Sequence, residues 1–411
     1  MKTELHDVVI IGAGPSGSCI GSLLSQQNTD CIIIERQNFP RFSIGESLLP
    51  QCMSILEEAN MLDDVKKAGF QFKNGAAFQD GDDYCSFDFS EKFTDGPEST
   101  FQVQRGTFDK ILADSAQAQG VPIRYQHEVL SIDEIKNGNR IHIRDLKNNE
   151  EYCIECRFLL DASGFGRVLP RLLDLEAPSD FPVRHSYFAH FKDNIECSDY
   201  DRNKILIGIH PEHKDIWYWL IPFQGGIASA GVVGEPKFFE DKQGLNEEGI
   251  LLDFIQQNPR IRELLKNAEL SSPVQCLKGY SANVSQLYGD NYALLGNAGE
   301  FLDPVFSSGV TIALKSAQLA APLVVRTLKG ESVNWETEFS MPLNQGIDTF
   351  RTFVTAWYDL RFQTVLFAKN QDDQIKKMIC SILAGYAWDT NNPFVEKSEM
   401  RLNTLVELCE H

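Results

Sequence analysis

The chain has 411 residues, 43% hydrophobic and 23% charged, enough for two domains or one large sheet with a second layer. Its formal net charge of -20 argues against a nucleic-acid or anionic-membrane partner, since both demand basic patches. It holds no apolar run of about 18 residues, the length of a membrane span, and MKTELHDVVIIGAG lacks the layout of a secretion signal, so a cytoplasmic protein is expected.

In chain order, MKTELH reads as a polar turn and DVVIIGAG as a short apolar strand ending in glycines. PSGSCIGSLLSQQ follows as a helix and CIIIER as a second buried strand. Another helix is expected over residues 48–59, in LLPQCMSILEEA. The acidic, Gly- and Ser-rich segment 80–100 reads as hairpins and loops, and FQVQRGTFDKILADSAQAQG as a strand and then a helix from near Thr107. Short strands fill 121–163 and again 184–235. Within the second set lies IWYWLIPF, two of the chain's five tryptophans in three positions. Alternate strand residues share a face, so Trp217, Trp219 and Ile221 should form one wall, with Pro222 ending the pairing. ALLGNAG is one more strand entering a glycine turn, GVTIALKSAQLAAPLVVRTL a helix, and the tail from about 331 is helical and aromatic.

Ten cysteines run from Cys19 to Cys409, mostly in apolar surroundings. Cys153 and Cys156 form a CxxC inside what reads as a strand, with no second pair to complete a metal site. His210 and His213, in HPEH, have no further ligand cluster beside them and read as solvated loop histidines, so no metal is expected.

Gly12-x-Gly14-x-x-Gly17 stands between a strand and a helix, with Glu35 closing the next strand. Such glycines permit a tight turn, close approach of backbone to a pyrophosphate and packing of helix on sheet, while the acid accepts from ribose hydroxyls. Ser16 and Arg36 flank these groups, and Pro15 suits the first helical turn. Two later segments also run from an apolar strand into a glycine turn. They are FLLDASGFGR, with Asp161 and Gly164, and YALLGNAGEFLDPVFSSG, with Asn297, Pro304, Gly309 and Val310. Together with Arg105 and Val129 this resembles the FAD-binding pattern of flavoprotein aromatic hydroxylases. The usual Gly-Asp of the third segment is Gly296-Asn297 here, and asparagine can still accept from a ribityl hydroxyl.

A narrower resemblance follows. WYWLIP (217–222) fits the W-x-W-x-I-P signature of flavin-dependent halogenases, and FLDPVFSSG (301–309) fits their F-x-x-P-x-x-S-x-G. PRFSIGESLLP, holding Arg41, Ile44, Gly45, Glu46 and Ser47, resembles the stretch that family lays against the flavin. FKNGAAF resembles its lysine-bearing stretch and casts Lys73 as the active-site lysine. The resemblance implies that reduced FAD and oxygen oxidise a bound halide to hypohalous acid, which travels an internal tunnel to that lysine. Trp217 and Trp219 would keep substrate off the flavin, Ser307 would be the signature serine, and the halide would sit by the N–H groups of Ser308 and Gly309.

Halogenases of free tryptophan carry a glutamate beside that serine and a larger C-terminal region. Here the neighbour is Phe306, so an electron-rich phenol or pyrrole is expected, free or tethered to an acyl carrier protein, with a separate flavin reductase. His185 and His190 are possible bases but read as structural. The alternative is an NAD(P)H-dependent flavin monooxygenase or a geranylgeranyl-reductase-like enzyme on the same scaffold. The expected fold is α/β: a discontinuous Rossmann-like FAD-binding domain (1–75, 100–180 and 275–330), an antiparallel β-sheet substrate domain (76–99 and 181–274) and a helical C-terminal region (331–411).

Overall fold

A computed structural model describes residues 3–240, 242, 244–369 and 372–409. Two large sheets organise the described residues. The first is built on parallel strands 292–294, 151–161, 3–11, 31–35 and 123–125, in that spatial order. Its central strands are apolar runs such as Val8–Ile11 and Cys31–Ile34, buried by helices on one face and by side chains of strands 127–135 and 138–145 on the other. Strands 127–135 and 138–145 extend it by antiparallel pairing along the first half of strand 151–161. That long partner corrects the reading of the N-terminus. TELH is not a turn but continues the first strand, with Thr3 opposite Cys153 and Leu5 opposite Glu155. The CxxC cysteines lie on strand 151–161, and among the described residues, which include all ten cysteines, none forms a disulfide.

The second sheet runs 269–270, 185–192, 227–234, 217–222, 204–209, 75–80 and 83–88, and is antiparallel except where 204–209 meets 75–80. Pro222 does not end its pairing: it stands opposite Ala228, and the Phe223 N–H still donates to Ile227 O at 2.7 Å. N–H groups alternate sides in an antiparallel ladder, so the missing donor of Pro222 faces away from that partner strand. A small third sheet pairs 71–73 with 100–102.

The helix expected over 48–59 begins only at Gln51, because Leu48 is held extended by its N–H donating to Phe101 O. The helix expected from Thr107 begins at Arg105. The helix after the second signature spans Gly309–Leu328, as its sequence implies, and the tail holds helices Met341–Tyr358, Arg361–Leu366, Asp373–Leu383, Pro393–Glu396 and Ser398–Cys409. Among the described residues no helix is long and apolar enough to cross a membrane.

Candidate active site

The first sheet ends at a cleft of about 630 Å³ that runs from the glycine turn to the tryptophan strand. Gly12 sits at φ +97°, and a Cβ there would lie 2.6 Å from Ala162 O, so only glycine lets the two turns touch. Glu35 is 6% exposed and lines the cleft. Its Oε2 accepts from Ala13 N at 2.9 Å and its Oε1 from Gln37 N at 2.8 Å, which leaves lone pairs for a ribose.

Gly14, Ser16, Arg36 and Val129 line the same end, and Gly164 the middle. Arg41, Ile44, Gly45, Glu46 and Ser47 form one side, facing Asn297, Pro304, Ser307, Gly309 and Val310. Arg105 also borders the cleft, but its guanidinium is engaged: Nε and Nη2 donate to Asp109 at 2.7 and 3.1 Å, and Nη1 reaches Ile44 O and Gly45 O. It anchors the 44–47 stretch.

Three other expected residues stand behind the surface. Gly17 packs its helix on Gly12, where a Cβ would meet Gly12 O at 1.9 Å. Asp161 is fully buried and accepts from Ser163 N and Leu169 N, shaping the second turn. Ser308, 2% exposed, precedes the helix Gly309–Leu328.

The far end of the cleft is walled by Trp217, Trp219 and Ile221, which do share a face, while Tyr218 and Leu220 pack on the opposite one. The indoles lie 5.8 Å apart, centroid to centroid. Trp219 presses on its neighbour strand so closely that a Cβ on Gly231 would meet the ring at 2.4 Å. Its Nε1–H donates to Ser229, and that of Trp217 to Tyr358.

Lys73 does not border the cleft. It is 1% exposed, its Nζ donates to Leu48 O at 2.8 Å, and the Phe89 ring lies 5.5 Å away. Burial lowers its pKa to about 7, only partly opposed by Cys52, so a large share of the neutral amine exists near neutrality. The third sheet explains what surrounds it. Lys73 pairs with Thr100, Gln71 with Gln102, and Gln102 with Ser47, so these side chains share one face. Along it Ser47 Oγ, both side-chain polar atoms of Gln102, and Thr100 Oγ1 are buried without a hydrogen-bond partner. Each such atom costs about 1–3 kcal/mol if it stays unpaired, so the stripe suits water or a small polar guest between the cleft and Lys73.

Glu46 places Oε1 2.6 Å from His190 Nε2, while its Oε2 is buried and unpartnered. Burial alone would lower the His190 pKa, but the hydrogen bond and charge of Glu46 outweigh it and the net shift is upward. His185 pairs with Gly234 and stacks on Phe239, apart from the cleft. His210 is not a solvated loop histidine: it is 3% exposed, with Nε2 on Gln257 and Nδ1 accepting from Glu212 N and His213 N.

A larger cleft of about 820 Å³ lies elsewhere, lined by Glu134, Asp290, Glu300, Glu336 and Asp348 with Arg351 as counter-charge. Its carboxylates would repel a pyrophosphate, whereas the glycine-turn cleft offers backbone N–H groups and a helix start. The latter therefore fits the dinucleotide.

Residues 6–228 match the FAD binding domain family, more than half of the chain. The chain is 30% identical to the 1H-pyrrole-2-carbonyl-(peptidyl-carrier protein) chlorinase of Pseudomonas fluorescens, covering 94% of this chain and 90% of that one. A flavoprotein/dehydrogenase from Cytophaga hutchinsonii is 46% identical with a TM-score of 0.95, over 99% of each chain. The myxobacterial chondrochloren halogenase is 26% identical with a TM-score of 0.76, over 99% of this chain and 97% of its own. Fold, cleft and family match define an FAD-dependent oxidoreductase. More narrowly, the chain belongs to the flavin-dependent halogenase family.

Proposed function

We propose that this enzyme halogenates an electron-rich pyrrole or phenol through hypohalous acid delivered to Lys73. The observation that carries the reading is the stripe of unpartnered polar atoms on Ser47, Gln102 and Thr100, leading from the cleft to Lys73. FAD in the glycine-turn cleft would supply, when reduced and exposed to oxygen, the oxidising equivalent that converts halide to hypohalous acid. The Ser308–Gly309 helix start favours an anion beside the flavin edge. Trp217 and Trp219 exclude an aromatic substrate from the cleft, while the polar stripe passes a molecule the size of water.

Lys73 then holds the oxidant next to the substrate. As a neutral amine it can take the halogen; as an ammonium it hydrogen-bonds the oxygen and makes the halogen more electrophilic. Its pKa near 7 makes both forms accessible. Phe306 packs against Trp357 and Phe362 where halogenases of free tryptophan place a carboxylate, which supports a substrate that needs no strong base. The pyrrole-acting chlorinase relative supports pyrroles, including carrier-tethered ones. The lack of a disulfide among the described residues supports a reducing, cytoplasmic setting, and electrons would come from a separate flavin reductase.

The test supplies reduced FAD, oxygen and a hypohalite trap, with and without chloride or bromide. Halide-dependent consumption of the trap supports the proposal. A trap left untouched by either halide, together with fast flavin reduction by NADPH alone, replaces it with the monooxygenase or reductase reading. The 46% identical flavoprotein/dehydrogenase is the observation that favours that second reading.

A further inference from the structure

Both halogenase signatures converge on one residue outside them. Tyr358 closes the helix Met341–Tyr358, 141 residues from Trp217 and 55 from Asp303. Its hydroxyl accepts from Trp217 Nε1–H at 2.9 Å and donates to Asp303 Oδ2 at 2.8 Å. The directions are forced, because an indole N–H only donates and a carboxylate only accepts. Asp303 in turn accepts from Val305 N on its other oxygen, which caps the short turn Pro304–Phe306 leading to Ser307.

Arg184, 4% exposed, lays its guanidinium 3.4 Å from the centre of the Tyr358 ring. Asp215 stands 4.0 Å from that guanidinium, and the pKa of the buried Tyr280 is raised by its burial and by the charge of nearby Asp303. Trp217 and Asp303 are 1% and 3% exposed and Tyr358 is half-buried, so both ends of the chain are shielded from water.

We propose that Tyr358 is a positioning residue that pins the Trp217 indole to the 301–309 loop and so keeps the two compartments of the reaction sealed from each other. This rests on the halogenase reading. The helix Met341–Tyr358 thereby controls how much oxidant reaches substrate rather than leaking. A supporting consequence concerns pH. Burial raises the Asp303 pKa to about 6, partly offset by Val305 N–H, Tyr358 and Arg184. Below that value a protonated Asp303 no longer demands the Tyr358 proton, and the pin loosens.

Tyr358→Phe keeps the ring and its stack on Arg184 while removing both hydrogen bonds. Loaded with FAD and given oxygen and halide, it should lose about three- to tenfold in halogenated product per oxygen consumed, the scale of one or two hydrogen bonds, with flavin loading unchanged. Wild type should show the same leak on acidification below about pH 6, whereas the variant's coupling should stay flat. In the flavin-free protein, the Trp217 indole N–H resonance, assigned by its loss in Trp217→Phe, should exchange with solvent about tenfold faster in Tyr358→Phe. Unchanged exchange and unchanged coupling would overturn the proposal. If wild type yields no halogenated product while the exchange effect is present, the halogenase reading fails and the pin itself stands.

Discussion

The two sides of the tryptophan wall are built by different rules. On the flavin side the glycine turns present backbone N–H and C=O groups to an open cleft, and the bordering Arg105 is paired with Asp109. On the Lys73 side the polar groups are side chains in a closed interior, several without partners, around an amine whose pKa burial has lowered to about 7. The first side is shaped for a large, permanent guest with many contacts. Under the proposed function the second passes small guests, and its unpaired atoms are the cost of leaving room for them. Under the proposed function, the two indoles separate an oxidant's origin from its use.

The largest expected effect lies on the open side. Gly12→Val would force a branched residue to φ +97° and drive its Cβ toward Ala162 O, so FAD affinity should fall by about 100-fold or more, read by flavin fluorescence titration. Retained loading would mean the glycine turn does not touch the cofactor. The closed side should respond more selectively. Gln102→Leu removes the two unpartnered atoms nearest Ser47, and should lower product per oxygen by about three- to tenfold without changing flavin affinity. Equal loss of flavin binding would erase the distinction between the two sides.

The last effect is on stability. Lys73 has its folded pKa lowered from 10.5 to about 7, so between those values the unfolded chain binds more protons and stability rises with pH. The contribution is fully present above 10.5 and is lost as pH falls through about 7. Lys73→Met should therefore melt higher than wild type at and below neutrality, with the gap closing toward pH 10.5. A gap independent of pH would show that Lys73 is not desolvated.

The flavin side was legible in the sequence because its signals are local: glycines, a helix start and an acid within one strand–helix–strand unit. The shared face of Trp217 and Trp219 was legible for the same reason, as strand alternation needs no tertiary information. The Lys73 side was not. Thr100 closed a segment read as hairpins and loops and Gln102 lay in a short strand, and only their pairing with Lys73 and Gln71 reveals a buried polar face. Tyr358 left no signal either, since its partners lie 141 and 55 residues away. Pro222 misled because a local rule about missing donors ignores which side of the strand the donor would face.

The measurement closest to the central claim compares wild type with Lys73→Met, each loaded with reduced FAD and given oxygen, halide, a hypohalite trap and a panel of pyrroles and phenols. If the oxidant arises on one side of the wall and is used on the other, Lys73→Met should consume the trap as fast as wild type and halogenate nothing on the panel. Halogenated product at the wild-type rate from the variant would contradict the account.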